Sequence, residues 1–299
     1  MMHLVDIDDL TSAELHAVLD EADRLRAAHE AGEPNTPLPD RTLAMLFEKP
    51  STRTRVSFET GMTQLGGHAL FLGPDDIHLG QGEPLRDTAR VLSRYADFLM
   101  ARVFDHTDVV ELAEFATVPV INGLSDAAHP CQTLGDLLTI RDQFGTLDVS
   151  VAWVGDGNNV CQSLVLGAAM TDLELTVATP QGYGIDDGVR KRAVGLDSPP
   201  EETTDPEAAV ADADVVYTDV WVSMGQEDER EEKLRAFEGF QVTTDLLGDR
   251  QLMHCLPAHR GEEVTNAVME GDHLAWDQAE NRMHAQKGLL VWLAEQTAR

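Results

Sequence analysis

The stretch FEKPSTRTRVSFE, residues 47–59, places three hydroxyls (Ser51, Thr52, Thr54) and two guanidiniums (Arg53, Arg55) where a helix is expected to start, directly after an apolar run. Unpaired backbone N–H groups and the positive end of the helix dipole make such a turn suitable for an anion. Arg53 adds a planar fork that matches phosphate oxygens, while Ser51 also reads as an ordinary N-cap. Arg102 closes another apolar run and brings a second cation to the same kind of position. In HPCQ (129–132), Pro130 suits the first helical position, so His129 and Gln132 project from one helix end. A histidine donor can polarise a carbonyl oxygen, and a glutamine carbonyl can accept from an amide.

Three further stretches carry polar chemistry. In VGDGNNV, Asn158 or Asn159 can hold a carboxylate or a carbonyl. Gly155 and Gly157 make only part of a dinucleotide fingerprint, because Val160 stands in the place of its third glycine. Asp219 ends a further apolar run and suits an ammonium group. Cys255 is flanked by His254 and followed by His259, but no second cysteine or compact ligand set lies near, so no metal is expected.

These residues must be positioned by something, and the rest of the sequence indicates what. Apolar runs at 42–47, 96–102, 117–123, 149–155, 173–179, 213–219 and 251–257 alternate with stretches of helical periodicity. The first helix is marked by Thr11 and Glu14 at capping-box spacing and by the stripe Leu15, Val18, Leu19, Ala22 and Leu25. The pattern predicts an α/β chain of two doubly wound parallel-sheet domains. A break at RDQFGTLDVS (141–150) divides it into 1–140 and 141–283, with a C-terminal helix at 284–299. Nearly every unusual polar residue follows the carboxyl end of a run, where open parallel sheets bind ligands, so the active site is expected in the crevice between the two domains.

Composition limits the partners. The 299 residues carry a formal charge of −31, with 4 Lys and 18 Arg against 53 Asp and Glu. Such a chain repels nucleic acid and anionic lipid. Depletion of lysine and the spread of acids along the whole chain suit a salt-loaded cytoplasm, where ions screen self-repulsion. The three cysteines are odd in number and far apart, which argues for a reducing compartment. No secretory leader and no stretch of membrane-spanning length is visible, so a cytoplasmic location is expected.

The motifs Ser-Thr-Arg-Thr-Arg (51–55), Met-Ala-Arg (100–102), His-Pro-Cys-Gln (129–132), Asp-Val-Trp-Val-Ser-Met-Gly (219–225), His-Cys-Leu-Pro (254–257) and Glu-Asn-Arg-Met-His (280–284) occur in that order. Over nearly its whole length the chain resembles the carbamoyltransferases, and Ser-Met-Gly with His-Cys-Leu-Pro points to their ornithine branch. The resemblance implies that the first domain binds carbamoyl phosphate and is completed by the C-terminal helix, and that the second binds L-ornithine. It implies that Ser51, Thr52, Arg53, Thr54 and Arg102 hold the phosphate, and that His129 and Gln132 hold the carbamoyl group. Asn159, Asp219, Ser223 and Met224 hold ornithine. Cys255, Leu256 and Arg282 close around the transferring group, with Cys255, His129 and Arg102 as the catalytic residues. It further implies a trimer or a multiple of trimers, no cofactor, and a contact of His78 with a neighbouring subunit's site.

Overall fold

The computed structural model describes residues 2–74, 83–196, 198–223 and 227–297, and the chain divides into two compact units. The first comprises residues 1–138 and 281–299. It opens with α1 (Ser12–Glu30), where the Thr11 side chain accepts from the Glu14 amide and the Glu14 carboxylate accepts from the Thr11 amide. The elements β1 (Thr42–Phe47), α2 (Thr52–Gln64), β2 (His68–Leu72), α3 (Leu85–Leu92), β3 (Phe98–Arg102), α4 (His106–Phe115), β4 (Val120–Leu124) and α5 (Pro130–Phe144) follow. The four strands are parallel in the order β2-β1-β3-β4. β1 and β3 bury nearly every side chain, which is why their sequences read as continuous apolar runs rather than alternating ones.

The second unit, residues 139–280, contains β5 (Ser150–Val154), α6 (Asn159–Ala169), β6 (Glu174–Ala178), α7 (Asp187–Gly195), β7 (Glu201–Thr203), α8 (Pro206–Val210), β8 (Val215–Thr218), α9 (Arg230–Ala236), α10 (Thr244–Leu247), β9 (Gln251–His254) and α11 (Asn266–Met269). Its five parallel strands run in the order β7-β6-β5-β8-β9. Trp153 and Tyr217 pack between neighbouring strands with ring centroids 4.8 Å apart. Outside the strands, Trp221 stacks on Phe237 within an apolar cluster that includes Val154, Val216 and Leu252 of the sheet.

A last helix, α12 (Ala275–Thr297), carries its residues from Asn281 onward into the first unit. Gly288 permits its approach to α1, because a Cβ there would lie 2.5 Å from the Val18 carbonyl oxygen. The two-sheet α/β architecture agrees with the sequence expectation. Three details differ. β2 and β7 were not expected, α5 continues through Phe144 into the stretch read as a break, and α12 begins at Ala275 rather than at 284.

α12 also sets an acid limit on stability. His284 is buried, and that burial, reinforced by the charges of Lys287, Arg26 and His29 against Glu30, lowers its pKa from 6.5 to about 4. The unfolded chain therefore binds a proton as pH falls through 6.5, whereas the folded chain does not until about 4. Stability is lost across that window. His284→Gln is expected to flatten the loss: the drop in melting temperature from pH 7.5 to pH 5 should be smaller in the variant. An equal drop would show that His284 does not govern the acid limb.

Candidate active site

Each sheet reverses its strand order once, and Ser51, Arg102, Asn158 and Asp219 follow or end the strands at those reversals. In the first unit the reversal lies between β1 and β3, whose ends are in register at Phe47 and Arg102. The Glu48 amide donates to the Arg102 carbonyl at 2.9 Å, which carries the chain into the polar turn. Ser51 caps α2: its Oγ accepts from the Thr54 amide at 3.3 Å and donates to Thr54 Oγ1 at 3.0 Å. Thr52 and Arg53 are exposed in the first turn, whereas Thr54 and Arg102 are buried. Arg55 turns away, pairing with Glu59 at 2.9 Å and lying over the Phe71 ring.

Sequence reasoning passed over Lys49 in this turn. It is 7% exposed, with its ammonium 4.4 Å from the Phe104 ring centroid. Burial first, then the Arg102 charge, lowers its pKa. A lysine that gives up solvent beside an arginine is the signal that could have identified it, since such placement suits an anion held by both.

α5 begins at Pro130, as expected, with His129 just before it. His129, Gln132 and Arg282 are each buried. Burial, and then the charges of Arg282 and Arg102, push the His129 pKa well below the ordinary histidine value. It stays neutral near pH 7 and offers an N–H donor without taking up a proton. The Gln132 amide donates to Asp136 at 2.8 Å, and its carbonyl oxygen accepts from Arg282 at 2.9 Å. Gln132 is therefore oriented by two charged side chains. Gly135 makes this possible: a Cβ there would lie 2.9 Å from the Cα of Arg282. The sequence signal was a glycine one turn after the motif. Cys131 is a core residue whose pKa burial raises to about 12.

In the second unit the reversal lies between β5 and β8. The two strands are tied at their ends by the Thr218 hydroxyl, which donates to the Val154 carbonyl at 2.6 Å. Asn158 is the N-cap of α6, with Oδ1 accepting from the Val160 and Cys161 amides. Its amide donates to Asp219 Oδ2 at 2.8 Å, and the Cys255 thiol donates to Asp219 Oδ1 at 2.9 Å. Asp219 is 5% exposed. Asn159 is the first residue of α6, directly after this contact of Asn158 with the carboxylate. Leu256 follows with φ of +61°. Ser223 is half-buried four residues after Asp219. Met224 and His78 lie outside the described residues.

Beside Asp219, Asp156 in the GDGNN turn forms a buried pair with Lys233 of α9 at 2.6 Å. Gly157 is needed in the same turn, because a Cβ would meet the Gly184 carbonyl oxygen at 2.5 Å. This turn is thus a packed corner and does not have the form of a dinucleotide loop, which agrees with the missing third glycine.

Comparison with known proteins assigns both units to one family. The aspartate/ornithine carbamoyltransferase carbamoyl-P binding domain matches residues 2–142, and the family's Asp/Orn binding domain matches residues 147–293. The ornithine carbamoyltransferase of Haloquadratum walsbyi is 64% identical over 295 residues, covering 97% of each chain. The anabolic ornithine carbamoyltransferase of Pyrococcus furiosus is 52% identical, covering 96% of this chain and 95% of its own. Among solved structures, ornithine carbamoyltransferase from Pyrococcus furiosus superposes with a TM-score of 0.92 at 51% identity, over 96% of this chain and 95% of that one. The anabolic enzyme from Campylobacter jejuni superposes with a TM-score of 0.93 at 40% identity, over 99% and 100%.

Proposed function

The chain belongs to the aspartate/ornithine carbamoyltransferase family, and on that premise we propose that it transfers the carbamoyl group of carbamoyl phosphate to the side-chain amine of L-ornithine, giving L-citrulline and phosphate. The observation that carries the ornithine reading is Asp219. A buried carboxylate held by an amide and a thiol is fixed in place to meet an ammonium group.

The phosphate is bound by the α2 N-terminus with Ser51, Thr52, Arg53 and Thr54, and by Arg102. His129 and Gln132 bind the carbamoyl carbonyl and amide, with Arg282 and the Leu256 backbone around them. Asn159, Asp219, Ser223 and Met224 hold the amino-acid end of ornithine, and Asn158 joins them through its bond to Asp219. The attacking amine must be neutral. With a lysine-like pKa near 10.4, about one molecule in 2,500 is neutral at pH 7, a deficit of roughly 4–5 kcal/mol. Its lone pair adds to the carbonyl carbon, and neutral His129 together with Arg102 stabilises the resulting oxyanion. The C–O bond to phosphate then breaks, phosphate departs with the electron pair, and the nitrogen loses its proton to the departing phosphate or to Cys255 in its thiolate form.

The assembly is a homotrimer or a multiple of one in this reading, which rests on the family to which the chain belongs. A cytoplasmic location and adaptation to salt rest on the charge of −31. No helix among the described residues is long and apolar enough to cross a membrane. The test is to supply carbamoyl phosphate and ornithine in multimolar KCl. Citrulline should appear with one phosphate per turnover, and sedimentation should give three times the 32.7 kDa of the chain or a multiple of that. Diluting the salt should reduce activity and melting temperature together. Phosphate release without citrulline would rule out ornithine as the acceptor.

A further inference from the structure

Past β9 the chain folds back on itself over residues 259–264. The Glu262 amide donates to the His259 carbonyl at 2.9 Å, and the Gly261 amide donates to the Val264 carbonyl at 2.8 Å. Gly261 permits the reversal with φ of +95°. The fold-back brings His259, Glu262 and Glu263 to one point: a nitrogen of the imidazole and an oxygen of each carboxylate lie within 4.8 Å of one another.

Each carboxylate uses one oxygen within the protein. Glu262 Oε1 accepts from Arg230. Glu263 Oε1 accepts from His254 Nε2 at 3.1 Å and from the His259 amide. The other oxygens, Glu262 Oε2 and Glu263 Oε2, and the imidazole nitrogen His259 Nδ1 are buried with no hydrogen-bond partner among the described residues. Glu263 as a whole is 0% exposed. His259 Nδ1 and Glu262 Oε2 are 3.9 Å apart, too far for a hydrogen bond. The neighbouring Arg260 is directed to Asn266 and Glu270 instead. Buried carboxylate oxygens that have lost water and face each other are unfavourable on both counts, and a cation between them relieves both.

We propose that His259, Glu262 and Glu263 form a binding site for a divalent cation of the class of Zn²⁺, which pins the turn after β9. An imidazole nitrogen and two carboxylate oxygens are a donor set for first-row divalent cations, with water completing the coordination. Small side-chain rotations bring the three atoms to an ion at about 2.1 Å. Arg230 and His254 hold the far oxygens and so orient the ligating ones. The role is structural, and no step of the carbamoyl transfer passes through the ion. The sequence predicted no metal because no second cysteine or compact ligand set stood near Cys255. The two glutamates follow His259 by three and four residues and become ligands only through the fold-back.

The test is equilibrium dialysis of the whole chain against Zn²⁺ in multimolar KCl, where loose attraction to the acidic surface is screened. Chloride lowers free Zn²⁺ equally for every variant, so the comparison between them stands. The wild-type protein should bind one ion per chain. His259→Ala should weaken binding by about 100-fold or more, and Glu262→Gln by at least about tenfold. The His259 side chain is half-buried and its amide contact with Glu263 survives the change to alanine, so the variant is expected to fold. Zinc at about a hundredfold excess over Kd should raise the melting temperature of the wild-type protein by about 4 °C and leave that of His259→Ala unmoved.

Asp219, His254 and Cys255 also bring ligand atoms together, and Co²⁺ separates the two sites. Cobalt held by His259, Glu262 and Glu263 gives d–d absorption without a thiolate-to-cobalt charge-transfer band. A charge-transfer band that disappears in Cys255→Ser would place the ion at Cys255 and overturn the proposal. Binding undiminished in His259→Ala, or no stoichiometric binding by the wild-type protein, would overturn it too. None of these measurements uses a substrate, so they hold whether or not the protein makes citrulline.

Discussion

Arg102→Gln is expected to lower kcat/KM for carbamoyl phosphate by about 10³-fold, equivalent to ~4 kcal/mol of lost transition-state stabilisation. Arg102 is 6% exposed and ends β3 in register with Phe47, directly beside the polar turn that starts α2. A guanidinium so fixed loses little freedom on meeting a phosphate, and it acts where water does not screen it. Lys49 cannot replace it. Its ammonium is a single point charge, and burial disfavours its charged form. Arg102→Lys should recover part of the loss by restoring charge without the fork. The measurement is kcat/KM for carbamoyl phosphate at saturating ornithine, with melting temperature as the control for folding. Turnover within a few-fold of wild type would remove Arg102 from the anion site.

The size of this effect follows from the charge of the whole chain. A protein with net charge −31 repels a dianion, and salt screens that repulsion only beyond a few ångströms at molar concentration. Arg102 and the α2 N-terminus act inside that distance, so their contribution should persist in high salt while long-range steering does not. Arg53 is exposed in the first turn and is more open to screening. Its removal should therefore cost less at multimolar KCl than the removal of Arg102.

Legibility in the sequence tracked the strength of local chemistry. β1, β3, β5 and β8 were readable because both of their faces are buried, so the apolar run itself marks the strand. β2 is an edge strand with exposed His68 and Leu70, and Gly66 and Gly67 before it suggest only a turn. β7 has three polar residues and no pattern to detect. The site residues with charged or capping side chains were visible, since Ser51, Pro130 and Asn158 are helix-start residues by their chemistry. Lys49 and Gly135 were not, because their roles depend on what packs against them: Arg102 and the Arg282 backbone. Within the stretch read as a break at 141–150, the helix runs further than its sequence suggests. α5 buries Leu134, Leu137, Leu138 and Ile140, and that core face carries the helix on to Phe144.

Cys255→Ala distinguishes the two routes for the ornithine proton. The thiol is a donor to Asp219 at 2.9 Å. To act as a base it must first become a thiolate next to a buried carboxylate, and like charges so close oppose that step. If Cys255 nevertheless takes the proton, Cys255→Ala should lower kcat by about 10²- to 10⁴-fold, the range of a lost general base, and the ionisation on the ascending limb of kcat, where a base loses its proton, should disappear. If phosphate takes it, the thiol serves to orient Asp219, kcat should fall by only about tenfold, and the ascending limb should stay. Geometry favours the second outcome, because the thiol hydrogen is already committed to the carboxylate that meets the ammonium. Cys255→Ser sharpens the comparison: a hydroxyl still donates to Asp219 but is a far weaker acid than a thiol. Serine activity near wild type would establish orientation as the role of position 255, and serine activity as low as alanine's would establish thiolate chemistry.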